Sequence, residues 1–194
     1  KKFLKKLGLV HLVKIIFSFM HYGLKNEISL KNLYDIKMSF KYDHTYEFRA
    51  NYLPNILDNT FEPQTIKLLK NVIKKNDTII DCGSNFGLFS LLACYLSGSD
   101  GKGYAFDASK ETCDSLNENK RLNRFSNLNV NHYALSDKSM QEVEFYGGSG
   151  GGTIIKDNPL YNTQNFSQKV NTISLDDFFA DKKIQNLKLI KIDV

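Results

Sequence analysis

Residues 78–90, TIIDCGSNFGLFS, decide the fold of this chain. A short apolar run leads to Asp81, then to Gly83 and Gly87, and then into a segment with the composition of a helix. A glycine-rich turn between a buried strand and a helix is typical of nucleotide-binding α/β folds, where the helix N-terminus faces phosphate. An acid in that turn would repel phosphate, so the stretch indicates a ligand of different charge.

The composition is that of an ordinary globular protein, with 42% hydrophobic and 24% charged residues in a chain of 194. The three cysteines and four histidines show no spacing typical of metal ligands, and three is an odd number for a disulfide framework. We therefore expect a reduced, cytoplasmic protein without a metal.

The net charge of +5 comes from the first part of the chain. Residues 1–40 hold eight lysines and two acids, so the remaining 154 residues sum to −1. Because the basic surplus is one N-terminal feature and not a face of the main domain, nucleic-acid binding is not expected.

Segment 3–22, FLKKLGLVHLVKIIFSFMHY, reads as a helix with a narrow polar stripe at His11, Lys14, Ser18 and His21. Lys14 interrupts the uncharged run, which is then too short to cross a hydrocarbon core of roughly 30 Å. Two interpretations stay open: an interfacial helix at the inner membrane surface, or a helix docked on its own domain or on a partner.

Residues 27–53 are strand-like and predict a hairpin that packs on the main sheet. We divide the chain into an N-terminal extension, 1–60, and a larger domain, 61–194. Residues 62–75 predict a helix with Pro63 in its first turn and Asn76 at its end.

A regular alternation of strands and helices follows. The predicted strands are 78–82, 103–107, 128–135, 141–147, 169–175 and 187–194, and the predicted helices are 86–97 and 109–123, with a short helix that Ser174 and Asp177 cap as a capping box. Strands joined by crossover helices of about a dozen residues indicate a parallel, doubly wound, Rossmann-like α/β sheet. The glycine-rich patch 147–153, GGSGGGT, is expected to be a flexible loop or a mobile flap, because it lacks the ending of a phosphate-binding loop.

Ligands of doubly wound sheets bind at the carboxyl ends of the strands. The first strand ends at Asp81–Gly83 and the second at Asp107, where a carboxylate can accept hydrogen bonds from both hydroxyls of a ribose. Gly83 would let the turn approach a ligand, and Gly87 would let the next helix pack closely or begin cleanly. These features indicate a nucleoside.

Asp81 and Asn85 favour S-adenosylmethionine over a dinucleotide. A carboxylate opposes pyrophosphate but attracts the ammonium and the sulfonium of S-adenosylmethionine. Asn85 stands where a phosphate loop needs bare backbone, and its amide can bond the methionine moiety. An NAD-dependent oxidoreductase remains a less favoured alternative.

The chain resembles the FkbM-type S-adenosylmethionine-dependent methyltransferases over roughly residues 61–194. The resemblance runs through FEPQTIKLLKNVIKKNDTIIDCGSNFG, YAFDAS, LNENKRLN, HYALSD, VNTISLDDF and LIKIDV, in the family's order. It implies a class I methyltransferase sheet with S-adenosylmethionine as cofactor. Two departures, AFDA for the usual AFEP and Ser84 for the usual alanine, leave cofactor binding intact.

The resemblance also assigns the site residues. The methionine end would be held by Asp81, Gly83, Asn85 and Gly87, the ribose by Asp107, and the adenine edge by the backbone near Ala134. No metal site is implied. The resemblance further implies an acceptor hydroxyl on a sugar or another natural product, so the expected partner is a small molecule or a glycan.

The strand order 3-2-1-4 is expected to bring the end of 187–194 beside Asp81. Asp193 is then the candidate for a base, a group that orients the acceptor or a metal ligand. Family members continue past this point with Glu-Gly and further elements, so we expect a C-terminally truncated domain whose fourth strand is an exposed apolar edge. A non-catalytic nucleoside-binding or interaction module with the same fold is the main alternative to the methyltransferase.

Overall fold

The structure is a computed structural model that describes residues 27–29, 39–41, 52–57, 59–148, 151–156, 158 and 167–194. The chain divides into two compact units, Lys1–Thr65 and Ile66–Val194. The predicted division after residue 60 stays a prediction. The predicted helix 3–22 lies outside the described residues, and no helix within them is long and apolar enough to span a membrane.

The first unit contains a short hairpin and a short helix. Strands β1 (Glu27–Ser29) and β2 (Ser39–Lys41) pair antiparallel, with Ile28 opposite Phe40. Helix α1 spans Leu53–Leu57. The pairing of the predicted hairpin is therefore confirmed, and its packing on the main sheet stays a prediction.

Helix α2 spans Pro63–Val72 and begins at the predicted proline, whose missing N–H is not needed at the first helical position. Ile66 and Leu69 lie buried on one face, as the periodicity of the segment predicts. The helix ends at Val72, before the predicted end at residue 75. Asn76 lies in the turn that follows, with a left-handed backbone (φ 68°) that asparagine adopts more readily than most residues.

The main sheet has four parallel strands in the order β10-β3-β4-β5, which confirms the predicted order and the doubly wound α/β fold. Its strands are β3 (Thr78–Cys82), β4 (Lys102–Asp107), β5 (Leu128–His132) and β10 (Leu187–Ile192), and its crossover helices are α3 (Leu88–Ser97) and α4 (Lys110–Asn123). Helix α4 begins after Ser109, whose side chain caps the helix by accepting a hydrogen bond from Thr112 N at 3.4 Å.

Both faces of this sheet are covered. On one face Phe178, from helix α5 (Leu175–Lys182), packs edge to face against Tyr104 and Phe106, with ring centroids 5.1 and 4.8 Å apart. On the other face a Cβ at Gly103 would lie 2.4 Å from Cys94 Sγ, so helix α3 sits directly on β4. Burial of such side chains contributes about 1.5–3 kcal/mol each, which makes this sheet the core of the unit.

A second sheet has the order β6-β9-β7-β8 and corrects two predictions. Its strands are β6 (Ala134–Leu135), β7 (Glu142–Gly148), β8 (Gly151–Thr153) and β9 (Ser167–Ile173). The predicted strand 128–135 is wrong as one strand. It breaks at Tyr133, whose N–H turns to Asp107 O at 3.1 Å, so β5 and β6 join different sheets.

The glycine-rich patch is also not simply a loop. Gly147 pairs with Gly152, and Gly148 with Gly151, in the antiparallel hairpin of β7 and β8. A Cβ at Gly152 would lie 2.4 Å from the ring of Phe145, so the absence of side chains there permits close packing.

The capping box before α5 forms only in half. Ser174 Oγ accepts from Asp177 N at 3.1 Å, as predicted. The Asp177 carboxylate, however, accepts from Ser139, and Ser139 Oγ accepts from Ser174 N at 2.9 Å. Ser139 therefore replaces the reciprocal bond and ties the helix start to the second sheet.

Candidate functional site

The ends of β3 and β4 meet in a tight turn. Gly83 N and Ser84 N both donate to Phe106 O at 2.9 Å, and Gly87 N donates to Ser84 O at 2.9 Å. The backbone is left-handed at Gly83, Asn85 and Gly87, with φ of 72°, 48° and 87°. Two of these three positions are glycines, which adopt that conformation without strain.

The two glycines are required by packing within the chain. A Cβ at Gly87 would lie 2.1 Å from Leu116 Cδ1, so helix α4 packs against the start of α3 as predicted. A Cβ at Gly83 would lie 2.0 Å from the carbonyl oxygen of Asp193. The space beside Gly83 is therefore filled by the residues after β10, and contact of Gly83 with a ligand stays a prediction.

Main-chain amides hold Asp107 in place at the end of β4. Its Oδ2 accepts from Asn85 N at 2.8 Å and its Oδ1 from Ser109 N at 2.9 Å. Each carboxylate oxygen has a second lone pair for a ligand hydroxyl. The Asn85 side chain turns its Oδ1 to Phe86 N at 2.7 Å, so its Nδ2 is the group left to meet a ligand.

Asp81 lies deeper, at the end of β3. Its side chain is 5% exposed, and its Oδ2 accepts from Ser90 Oγ at 2.6 Å. Its Oδ1 lies 3.3 Å from Lys191 Nζ, without the alignment of a hydrogen bond. Burial raises the pKa of Asp81 above its ordinary value, and Lys191 and Ser90 oppose that shift.

Lys191 is the residue that sequence reasoning missed. It stands directly opposite Asp81 in the β10–β3 register, with a side chain only 16% exposed. Its Nζ lies 3.5 Å from Asp193 Oδ2 and 5.3 Å from the centre of the Phe89 ring. A lysine within the apolar run LKLIKI is the signal that could have found it, once strand order and register are known.

Lys191 offsets part of the negative charge at this site. Asp81 alone is not an uncompensated negative charge, because a lysine faces it. Lys191 is shared with Asp193, however, and Asp107 is close enough to raise the pKa of Asp81. The three carboxylates outweigh the lysine, so this end of the sheet remains negative and favours a cationic ligand.

Asp193 reaches the site through its backbone as well as its charge. Its N–H donates to Cys82 O at 3.0 Å, and its carbonyl oxygen lies against Gly83. Its side chain is 70% exposed. The structure thus brings Asp193 beside Asp81, as the strand order predicts.

Ala134 lies on the far side of Asp107. It is buried in β6, where it is opposite Thr172 of β9. The segment before it is tied to the end of β4, since Tyr133 N donates to Asp107 O and His132 Nε2 lies 3.0 Å from Ala108 O. The predicted residues therefore lie together at the carboxyl ends of the parallel strands.

Two polar atoms buried at these strand ends could form hydrogen bonds with a polar ligand. Ser84 Oγ and Asp81 Oδ1 are both buried and have no hydrogen-bond partner among the described residues. Buried polar atoms of this kind need a partner, which a bound molecule would supply. The carboxylates can accept hydrogen bonds, and the hydroxyl and the amide can donate them. This combination fits a nucleoside that carries an amino acid.

Other chemistry finds less support here. Within the described residues no group of three or more His, Cys, Asp or Glu side chains could hold a metal ion. Burial raises the pKa of Cys82 to about 11 and those of Cys94 and Cys113 to about 12, so these thiols stay protonated and are poor nucleophiles.

Comparison with known proteins points in the same direction. Residues 81–194 match the model of the family described as the methyltransferase FkbM domain. None of the curated proteins compared matches the chain.

Three solved structures illustrate the similarity. A SAM-dependent methyltransferase from Aquifex aeolicus is 27% identical, with a TM-score of 0.34 over 38% of this chain and 39% of that one. An rRNA methylase from Streptococcus thermophilus is 17% identical, with a TM-score of 0.33 over 36% and 37%. P. horikoshii TYW2, in complex with MeSAdo, is 22% identical, with a TM-score of 0.35 over 49% and 32%. The chain spans between 32% and 39% of the length of these structures.

Proposed function

Because the chain belongs to the FkbM methyltransferase domain family, we propose that it acts as an S-adenosylmethionine-dependent methyltransferase and binds its cofactor across the ends of β3 and β4. The observation that carries the proposal is the pair of carboxylates, Asp81 and Asp107, at the ends of neighbouring parallel strands, with Asn85 between them. S-adenosylmethionine, when bound, supplies a methyl group on a positively charged sulfur.

Asp107 would hold the ribose. Its two oxygens are fixed by the N–H groups of Asn85 and Ser109, so the carboxylate is oriented before any ligand arrives. A rigid acceptor pair binds two adjacent hydroxyls at a small entropic cost. Ala134, on the neighbouring segment, would offer its backbone to the adenine edge.

The methionine end would lie toward β3. Asp81 Oδ1 and Ser84 Oγ are buried polar atoms without a hydrogen-bond partner among the described residues, and Asn85 has its Nδ2 available. Asp81 would meet the ammonium group, while Gly83 and Gly87 keep the turn in the left-handed conformation that aims these groups.

Transfer to a hydroxyl of a sugar or another natural product is the finer part of the proposal. Its source is the family resemblance, and the exposed Asp193 carboxylate would be the base or the acceptor-orienting group. The acceptor would therefore be a small molecule or a glycan and not a nucleic acid. A cytoplasmic location, with contact to the inner membrane surface through residues 3–22, belongs to the same proposal.

Two alternatives predict different ligands. A non-catalytic module with this fold would bind the nucleoside without transferring a methyl group. An NAD-dependent oxidoreductase would bind a dinucleotide, which the excess of carboxylates over lysine at this edge disfavours.

Calorimetric titration of the protein with S-adenosylmethionine, S-adenosylhomocysteine and NAD tests the proposal. We expect both S-adenosyl compounds to bind and NAD to give no signal. The variant Asp100→Ala, which changes an exposed acid in the turn before β4, serves as the control and should bind like the wild type. Binding of NAD without any response to the other two would refute the proposal.

A further inference from the structure

Lys191 is an unusual residue for a strand end, because its charged group lies largely buried. Lys188, three residues earlier on the same strand, is exposed. Taking an ammonium group out of water is costly unless it is paired. The Lys191 ammonium lies between two carboxylates, 3.3 Å from Asp81 Oδ1 and 3.5 Å from Asp193 Oδ2, and both contacts are candidates for that compensation.

Neither contact is a tight pair. Charge-assisted N–H···O bonds are typically about 2.7–2.9 Å long, and both of these are longer. Asp81 is bonded tightly only on its other side, by Ser90 Oγ at 2.6 Å. Lys191 therefore leaves Asp81 Oδ1 short of a good hydrogen bond, although that oxygen is buried.

The charges of the three groups do not cancel. One lysine faces two carboxylates, so one negative charge is left over at the place where the methionine end would lie. A single cationic group on the ligand balances it. If the ligand engages Asp81, Asp193 remains as the partner of Lys191, which never becomes an unpaired buried charge.

We propose that Lys191 is a positioning residue of the cofactor site, which keeps Asp81 ionised and in place for the ammonium group of the cofactor. The inference rests on the proposed function. Without Lys191 the buried carboxyl of Asp81 takes up a proton and loses its attraction for a cation. Lys191 acts through Asp81 and touches neither the adenine nor the ribose.

Two ligands separate this role from a general structural one. S-adenosylhomocysteine carries the amino-acid end, whereas 5′-methylthioadenosine has the same adenosine and lacks it. Lys191→Met should weaken S-adenosylhomocysteine at least tenfold in calorimetric titration and change 5′-methylthioadenosine less than twofold. Lys191→Arg keeps the charge and should recover most of the lost affinity. The control, Lys188→Met, should leave both ligands unchanged.

A double variant tests whether Lys191 works through Asp81. Asp81→Asn alone should weaken S-adenosylhomocysteine, and adding Lys191→Met to it should cause no further loss, since the two residues share one task. Additive losses would overturn the inference. Equal weakening of both ligands by Lys191→Met, or no weakening of either, would overturn it as well.

The outcomes distinguish the inference from the function on which it rests. If the wild type binds both ligands while Lys191→Met fails the pattern above, only the inference is lost. If the wild type binds neither ligand, the proposed function fails and takes the inference with it. Circular dichroism checks folding. Should Lys191→Met not fold, the double variant, which removes both charges, decides: it should bind 5′-methylthioadenosine as the wild type does, and loss of that ligand overturns the inference.

Discussion

The ends of β3 and β4 each carry an aspartate, and the protein stabilises the two carboxylates in different ways. Asp81 is buried and depends on side chains from two other elements, Ser90 of α3 and Lys191 of β10. Asp107 is half-buried and is held by two backbone amides of its own turn. Asp81 has a lysine as its counter-ion, and Asp107 accepts hydrogen bonds from two main-chain N–H groups.

The position of the Asp107 carboxylate depends on backbone contacts, whereas the ionisation of Asp81 depends on neighbouring side chains. Backbone amides fix Asp107 whatever the surrounding side chains are, so its function depends on the shape of the turn. Burial favours the neutral form of Asp81, and Lys191 and Ser90 favour its ionised form. Variants at the β3 end should therefore act on charge and stability, and variants at the β4 end on ligand contacts.

The largest effect is expected from Lys191→Met on stability. Removing Lys191 takes the counter-ion from the buried Asp81 carboxylate, which must then take up a proton to stay buried. The loss of the pair should lower the free energy of unfolding by about 3 kcal/mol. Urea unfolding at neutral pH measures this change. The matched variant Lys188→Met, on an exposed residue of the same strand, should cost less than about 0.5 kcal/mol. A cost below about 1 kcal/mol for Lys191→Met would mean that the charge pair is unimportant in solution.

Asp107→Ala should weaken ligand binding and leave the free energy of unfolding nearly unchanged. We expect S-adenosylhomocysteine and 5′-methylthioadenosine to weaken together by about 1–3 kcal/mol, because both carry the ribose hydroxyls that would lose their acceptor. Titration calorimetry measures both. Unchanged affinities would place the ribose elsewhere and break the contrast between the two strand ends.

The pH dependence of stability sharpens the contrast further. The pKa of Asp81 is raised by burial, so the folded chain binds this proton more tightly than the unfolded chain does. Stability from this group is therefore greatest at low pH and declines as the pH rises above the ordinary value of 3.8. The stability of Asp81→Asn relative to wild type should rise with pH over that range, and a flat difference would contradict the shift.

The pKa of Asp177 is shifted in the opposite direction, so its contribution to stability changes with pH in the opposite sense. Hydrogen bonds from Ser139 and Ser174 lower its pKa, so its contribution is present above 3.8 and is lost as the pH falls through its folded value. Asp177→Asn should therefore remove stability at neutral pH and lose its effect in acid. Urea unfolding of both variants across the same pH series measures the two trends side by side.

The smallest effect is expected at the cap of α4. Ser109→Ala should cost about 0.5–1 kcal/mol, because the bond from Thr112 N is long at 3.4 Å. Ser174→Ala, whose bond from Asp177 N is 3.1 Å, should cost somewhat more. Thermal unfolding compares the two, and a larger loss for Ser109→Ala would show that its side chain also supports the Asp107 turn.

Most of the main sheet could be predicted from the sequence, because its strands are apolar runs punctuated by glycine, asparagine and acid. The segment 128–135 could not, since one continuous strand-like pattern serves two sheets and periodicity does not reveal the pairing partner. The hairpin pairing within 147–153 could not be predicted either, because this glycine-rich sequence shows no strand-like pattern. Glycines have no side-chain alternation, so their pairing leaves no pattern in the sequence.

The candidate site shows the same limit. The residues of the turn itself, Asp81 to Gly87, could be recognised because their spacing is local. Lys191 is 110 positions from Asp81 in the sequence and became visible only through the β10–β3 register. The reason for Gly83 was likewise hidden, since the atom that would meet its Cβ belongs to Asp193.

The most direct test of the account is one set of titrations with S-adenosylhomocysteine and 5′-methylthioadenosine on wild type, Asp107→Ala and Lys191→Met. We expect wild type to bind both ligands, Asp107→Ala to weaken both, and Lys191→Met to weaken S-adenosylhomocysteine alone. A wild type that binds neither ligand, or two variants with the same pattern, would contradict it.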